Sequence, residues 1–293
     1  MLHELGFEFW RTQWQKAADG SRFHEVYPDE TCIWNQSARS YDSGMEKEGM
    51  RERKLMKILD DIRFEFGRDK RALDIGSGTG ALAIPLARRG IFVDALDSSE
   101  QMNGVLREKC AAEKIDNINI IAEDFNEYDI PDDSYDLVLG SLNPCLYNPE
   151  SFLKMLSISR EAVVFIGITR GEGTPGHSSE KTLVEQITGI SPGHNSSNSV
   201  AYPFNMLLSL GLKPAIRHVP NVWRRDEEPG AAIARLTAQY GHFDARYPGT
   251  QQVIADYVAQ HTTNGKFVEL GYADLGIVAF GTAGKGAFFK LYA

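Results

Sequence analysis

The sequence predicts an α/β protein with a doubly wound, mostly parallel sheet. Three observations lead there. Short continuous apolar runs recur between Arg71 and Ile168, as expected of strands buried on both faces. Stretches with apolar residues at helical spacing separate them. A glycine-rich segment, Leu73-Asp74-Ile75-Gly76-Ser77-Gly78-Thr79-Gly80, joins the first run to a helix.

Taken in order, the first fifty residues hold Phe7, Phe9, Trp10, Trp14, Phe23, Tyr27, Trp34 and Tyr41 among charges, which suggests helices and loops lying over something. A helix is expected from Arg51 to Phe66, because Leu55, Ile58, Leu59 and Ile62 share one face. Strands are expected at Ala72–Ile75, Ile91–Leu96, Ile118–Ala122, Tyr135–Leu139 and Ala162–Ile168. Met102, Val105, Leu106 and Cys110 form one helical stripe, and Phe152, Met155 and Leu156 another. Beyond residue 170 the chain turns rich in Gly, Ser, Thr and Asn, with a short helix expected at Glu180–Thr188. Long loops of this kind are often functional. A helix at Ala201–Leu210, a strand at Lys213–Pro220 and helices near Ala231–Tyr240 and Gln251–Gln260 follow. Two closing strands are expected, Phe267–Tyr272 and Leu275–Phe280.

The organisation read from this is an aromatic N-terminal cap (1–50), an α/β core (51–170), insertions forming a substrate cap together with late core elements (171–265), and closing strands (266–293). At 293 residues the chain is long enough for two domains, but it reads better as one elaborated domain. Basic residues number 31 and acidic residues 40, a net charge of −9. Such a chain repels polyphosphate at long range, which favours a small-molecule partner over nucleic acid. No apolar stretch is long enough for a bilayer, so no membrane partner is expected; the oligomeric state is left open. Cys32, Cys110 and Cys145 make neither a disulfide framework nor a metal-ligand pattern, so no metal is expected, and a cytoplasmic setting is.

Four segments at expected strand ends carry chemistry. The glycines of Gly76–Gly80 permit a tight turn and a close approach of backbone to a ligand, and the helix that follows offers free N–H groups. Gly76, Gly78 and Ala81 also fit the dinucleotide fingerprint. Asp74, however, sits awkwardly beside a pyrophosphate and suits a ligand with a positive amino group. Asp97 ends the second strand and can accept both hydroxyls of a ribose; Ser98 and Gln101 have capping-box spacing just after it. Asp124 can accept from an adenine amino group, with Phe125 packing on the ring. Ser141 and Asn143 follow the fourth strand, in Gly140-Ser141-Leu142-Asn143-Pro144.

With these residues the chain resembles the class I S-adenosylmethionine-dependent methyltransferases, in particular small-molecule members of the methyltransferase type 11 kind. The matching residues are the Leu73–Gly80 motif, Asp97, Glu123-Asp124-Phe125 and Tyr135-Asp136-Leu137-Val138. Trp34, Ala38, Tyr41 and Asp42 match a W-x-x-x-A-x-x-Y-D segment of such proteins. The resemblance implies a Rossmann-like, seven-stranded sheet whose last strand is antiparallel, and S-adenosyl-L-methionine as cofactor. Asp74 and the backbone of Gly76, Ser77, Gly78 and Gly80 would hold its amino acid part. Asp97 would take the ribose, with Ser98 beside it also at the cofactor, Met102 near the adenine, and Asp124 and Phe125 reading it. Ser141 and Asn143 would line the methyl-transfer position, and Tyr41 would close over the methionine end. His177, His194 and Tyr147 are the candidates should a base be needed. The other readings are an NAD(P)-dependent oxidoreductase, which leaves Asp74 unexplained, a non-catalytic S-adenosylmethionine-binding protein, and an RNA or protein methyltransferase.

Overall fold

A computed structural model describes residues 6–27, 30–42, 50–169, 182–190 and 196–281. Its centre is a sheet of β1 (Arg71–Ile75), β2 (Phe92–Leu96), β3 (Ile118–Ile121), β4 (Tyr135–Ser141), β5 (Ser159–Ile168), β6 (Ala215–Glu227), the two-residue β7 (Thr262–Thr263) and β8 (Lys266–Gly281). The strand order is β3-β2-β1-β4-β5-β8-β6, with β7 paired to β8. The pairs from β3 through β5 are parallel, and β8 runs antiparallel to both β5 and β6. The chain winds outward from β1 to β3, returns, and winds the other way from β4. This leaves a crevice beyond the carboxyl ends of β1 and β4, the place where open α/β sheets take their ligands.

Alternation along the strands explains the two apolar layers. Ala72, Leu137, Leu139, Val164, Ile166 and Ile277 face one side, with α4 (Met50–Asp61), α5 (Ala83–Arg88) and α6 (Glu100–Glu113). Leu73, Ile75, Val138, Val163, Phe165 and Val278 face the other. There they meet α1 (Phe7–Asp19), α7 (Pro149–Ser157) and α9 (Ala201–Ser209). The aromatic N-terminus therefore contributes to the core itself. Trp14 is fully buried, stacks on Tyr202 and donates from Nε1 to the Ser197 carbonyl at 2.8 Å. A third cluster stands apart from the sheet faces. It joins α2 (Phe23–Val26), α8 (Leu183–Thr188), α10 (Pro229–Tyr240) and α11 (Thr250–Gln260) through Val26, Leu183, Leu236, Phe243 and Ile254.

Several boundaries differ from those expected. Helix α4 stops at Asp61 because Arg63 takes a left-handed conformation, φ 57°, and turns Phe64 back onto the core. The two expected closing strands are one, β8, and β6 continues past Pro220 to Glu227. Helix α6 is capped by Ser99, whose Oγ accepts from the Met102 N–H at 3.2 Å, one residue later than the Ser98–Gln101 spacing suggests. Among the described residues no helix is long and apolar enough to cross a membrane.

Candidate functional site

A cavity of about 490 Å³ opens at the crevice. Each wall is the end of a strand. Gly76 and Gly78 come from the turn after β1, Leu96, Asp97 and Ser98 from the end of β2, and Glu123, Asp124, Phe125 and Asn126 from the segment after β3. Ser141, Leu142, Asn143, Pro144, Cys145 and Asn148 come from the end of β4 and its following turn. Trp34 and Tyr41, on α3 (Glu30–Tyr41), cover it with rings 6.3 Å apart, edge to face.

Of the residues expected from sequence, Tyr41, Gly76, Gly78, Asp97, Ser98, Met102, Asp124, Phe125, Ser141 and Asn143 all line this cavity. Three others do not. Gly80 faces Leu106 of α6. Ser77 is buried within the turn. Asp74 is buried beneath it, because strand alternation sends Ala72 and Asp74 toward α5 rather than toward the opening. Tyr147 lies between the lining residues Cys145 and Asn148 but does not line the cavity itself. His177 and His194 lie outside the described residues. Asn126 and Asn148 also line it and had no sequence signal, since irregular turns carry no periodicity.

Asp97 organises the turn. One carboxylate oxygen accepts from the Gly78 N–H and the other from the Ser99 N–H, both at 2.8 Å. Burial raises its pKa, and these two hydrogen bonds oppose the shift. Asp74 is perturbed further. Burial pushes it up to about 8, offset in part by the Ala83 N–H and reinforced by the charge of Asp97. Asp74 Oδ2, Ser77 Oγ and Ser141 Oγ are buried, and among the described residues they have no hydrogen-bond partner.

An expected result follows for Asp74. The folded chain keeps a proton that the unfolded chain gives up near pH 4. Unfolding free energy therefore falls as pH rises from about 4 to about 8, by up to about 1.4 kcal/mol per unit, and levels off above. Asp74→Asn flattens that slope. Thermal unfolding of both proteins between pH 5 and 9 measures it; parallel pH profiles would show Asp74 ionised in the folded state.

Second contacts hold the walls. Lys154 of α7 donates to the carbonyls of Phe125, Asn126 and Tyr128, and its ammonium lies 4.7 Å from the Phe125 ring centroid. It thereby fixes the segment that presents Asp124. Helix α3 is fastened at its middle and just past its C-terminal end. Asn35 Oδ1 accepts from Ser99 Oγ at 2.7 Å, and Asp42 accepts from Thr79 Oγ1 and pairs with Lys109, each at 2.7 Å. Trp34 and Tyr41 also border a second cavity of about 320 Å³. Its other walls are Phe23, Tyr27, Ser37, Arg225, Arg235, Gln239, Tyr240 and Glu269.

The chain is similar to known proteins over part of its length. Residues 72–163 match the family model described as a methyltransferase domain. A protein of Geobacillus sp. named as a methyltransferase is 42% identical over 53 residues, 17% of this chain and 22% of that protein. A protein of Methanosphaera stadtmanae named as a ribosomal RNA small subunit methyltransferase A is 31% identical over 80 residues, 27% of this chain and 29% of that protein. The chain thus matches between a fifth and a third of the length of these curated relatives. Among solved structures, a Haemonchus contortus phosphoethanolamine N-methyltransferase shares 15% identity over 78% of this chain and 52% of that chain, with a TM-score of 0.44. A Streptomyces coelicolor geranyl diphosphate C-methyltransferase shares 13% over 79% of each chain, with a TM-score of 0.42. The strand order, with β8 antiparallel to its neighbours, is the one expected of a Rossmann-like methyltransferase sheet. Residues 72–163 are thus similar to a methyltransferase domain, in keeping with the family that the sequence resembles.

Proposed function

We propose that the protein transfers a methyl group from S-adenosylmethionine to a small molecule. One observation carries the reading. Asp97, Asp124 and the Gly76–Gly78 backbone, at three successive strand ends, meet in one cavity under an aromatic cover. The residues present fit the cofactor. Gly78 leaves open space where a Cβ would stand, φ is 54° there, and the buried Ser141 hydroxyl has no partner among the described residues. Asp97 suits a ribose, and Asp124 with Phe125 suits an adenine. When bound, the cofactor supplies an electrophilic methyl group on a positively charged sulfur. The chain's part is then to align the acceptor and to keep water out, and alignment alone can supply several kcal/mol of a barrier. Trp34 and Tyr41 stand between the two cavities, so they suit that task. A second cavity of small-molecule size and the net charge of −9 support a small acceptor rather than RNA.

Thermal unfolding with S-adenosylhomocysteine, NADH and NADPH tests the cofactor. A ligand at 100 times its Kd stabilises by about 2.7 kcal/mol. S-adenosylhomocysteine is expected to raise the midpoint and the nicotinamides to leave it unchanged; the reverse pattern defeats the reading.

A further inference from the structure

We propose that Asn35 is a positioning residue for the Asp97 carboxylate and acts on it through Ser99. The assignment rests on the methyltransferase reading and deepens it, since it ties the aromatic cover to the seat of the cofactor's ribose. Asp97 is held by two backbone donors, the Gly78 N–H on one oxygen and the Ser99 N–H on the other, both at 2.8 Å. Asn35 reaches the second of these. Its Oδ1 accepts from the Ser99 hydroxyl at 2.7 Å and from the Gln101 N–H at 3.3 Å, so it pins the start of α6 at the residue that orients Asp97. The first donor is held in a similar way. Asp42, just past α3, accepts at 2.7 Å from the hydroxyl of Thr79, the neighbour of Gly78, and Lys109 donates to the Thr79 carbonyl at 2.9 Å.

Both grips come with the cover. Asn35 directly follows Trp34 and Asp42 directly follows Tyr41, and the two rings line the cavity. One contact therefore sets a ring of the cover and the carboxylate of the seat together. Among the described side chains of α3, Ala38 is the one buried apolar group, so little hydrophobic burial holds this helix and its polar contacts matter more. Ser99 is fully buried, and a hydroxyl that loses its acceptor there cannot turn to water. It reorients, and the N–H of the same residue shifts against Asp97. Aspartate in place of Asn35 keeps an acceptor for both donors and suits the N-terminus of α6; leucine has nearly the same size and accepts nothing.

The test reads the ribose contact itself. Adenosine and dideoxyadenosine, which lacks both ribose hydroxyls, are titrated calorimetrically into the unaltered protein, Asn35→Leu and Asn35→Asp. A hydrogen bond to a charged acceptor is worth about tenfold in Kd, so the unaltered protein should prefer adenosine by at least that factor. Asn35→Leu is expected to cut the preference by about threefold or more, and Asn35→Asp to keep most of it. A contact that only braces the fold weakens both nucleosides alike. An unchanged ratio in Asn35→Leu therefore overturns the assignment alone, as does an equal loss in Asn35→Asp. No preference for adenosine in the unaltered protein, or no binding of S-adenosylhomocysteine to it, overturns the methyltransferase reading and the assignment with it. Should Asn35→Leu not fold, Asn35→Ala, a better helix former that also lacks the acceptor, carries the same comparison.

Discussion

Asp97→Ala is expected to abolish the thermal stabilisation by S-adenosylhomocysteine and to weaken its binding by about a hundredfold or more. The proposed ribose gives two hydrogen bonds to one carboxylate, and bonds to a charged acceptor contribute about 1.5–3 kcal/mol each. Losing both costs about 3 kcal/mol at the low end, or two decades in Kd. A further loss comes from the turn, because the Gly78 N–H gives up its acceptor and the backbone lining the cavity loosens. The stability of the unliganded protein should move little. Asp97 bears a desolvation cost, visible in its raised pKa, and alanine removes that cost together with the two backbone contacts. Asp97→Asn keeps one acceptor oxygen and should fall between. Calorimetric titration gives the affinities and thermal unfolding gives the stabilities. An unchanged S-adenosylhomocysteine response in Asp97→Ala would place the ribose elsewhere.

Asp97 was legible because it stands at a fixed point, the end of a strand buried on both faces. The same logic exposed β1 through β5, whose expected runs hold at most one polar residue each. It did not extend to the far edge of the sheet. Strand β6 contains Pro220, where the expected strand stopped, and beyond it the charged run Arg224-Arg225-Asp226-Glu227. An edge strand tolerates both, since one row of its backbone groups needs no partner and its charges can pair with a neighbouring strand. Arg225 with Glu269 is such a cross-strand pair. In β8 the polar Asp274 looked like a break, yet it pairs in register with Pro220, and its carbonyl accepts from the Thr169 N–H and hydroxyl. Asp74 shows a different limit. The motif located it correctly in the chain, but only the pleat of β1 decides which face it takes, and that face is the α5 layer. The fastening of α3 by Asn35 and Asp42 was invisible, because it joins residues far apart in sequence.

Two alanine substitutions in the glycine turn should separate folding from ligand contact. Gly76 has φ 65°, and a Cβ there would lie 1.8 Å from Asn143 Nδ2. Asn143 cannot yield freely, since its Oδ1 accepts from the Cys145 N–H at 3.1 Å and caps the turn that walls the cavity. Gly76→Ala therefore combines left-handed strain of about 1–2 kcal/mol with a displaced wall, and should lose stability and S-adenosylhomocysteine binding together. Gly78 has φ 54° and meets nothing within 4 Å, so Gly78→Ala carries the strain alone. Its methyl group, however, enters space that the proposed ligand needs, because Gly78 lines the cavity. That variant should remain folded, unfold a few degrees lower, and bind S-adenosylhomocysteine at least tenfold more weakly. Thermal unfolding with and without S-adenosylhomocysteine reads both effects in one series. Full binding by Gly78→Ala would mean that the ligand does not rest on this backbone, and the glycine turn would then serve the fold rather than the site.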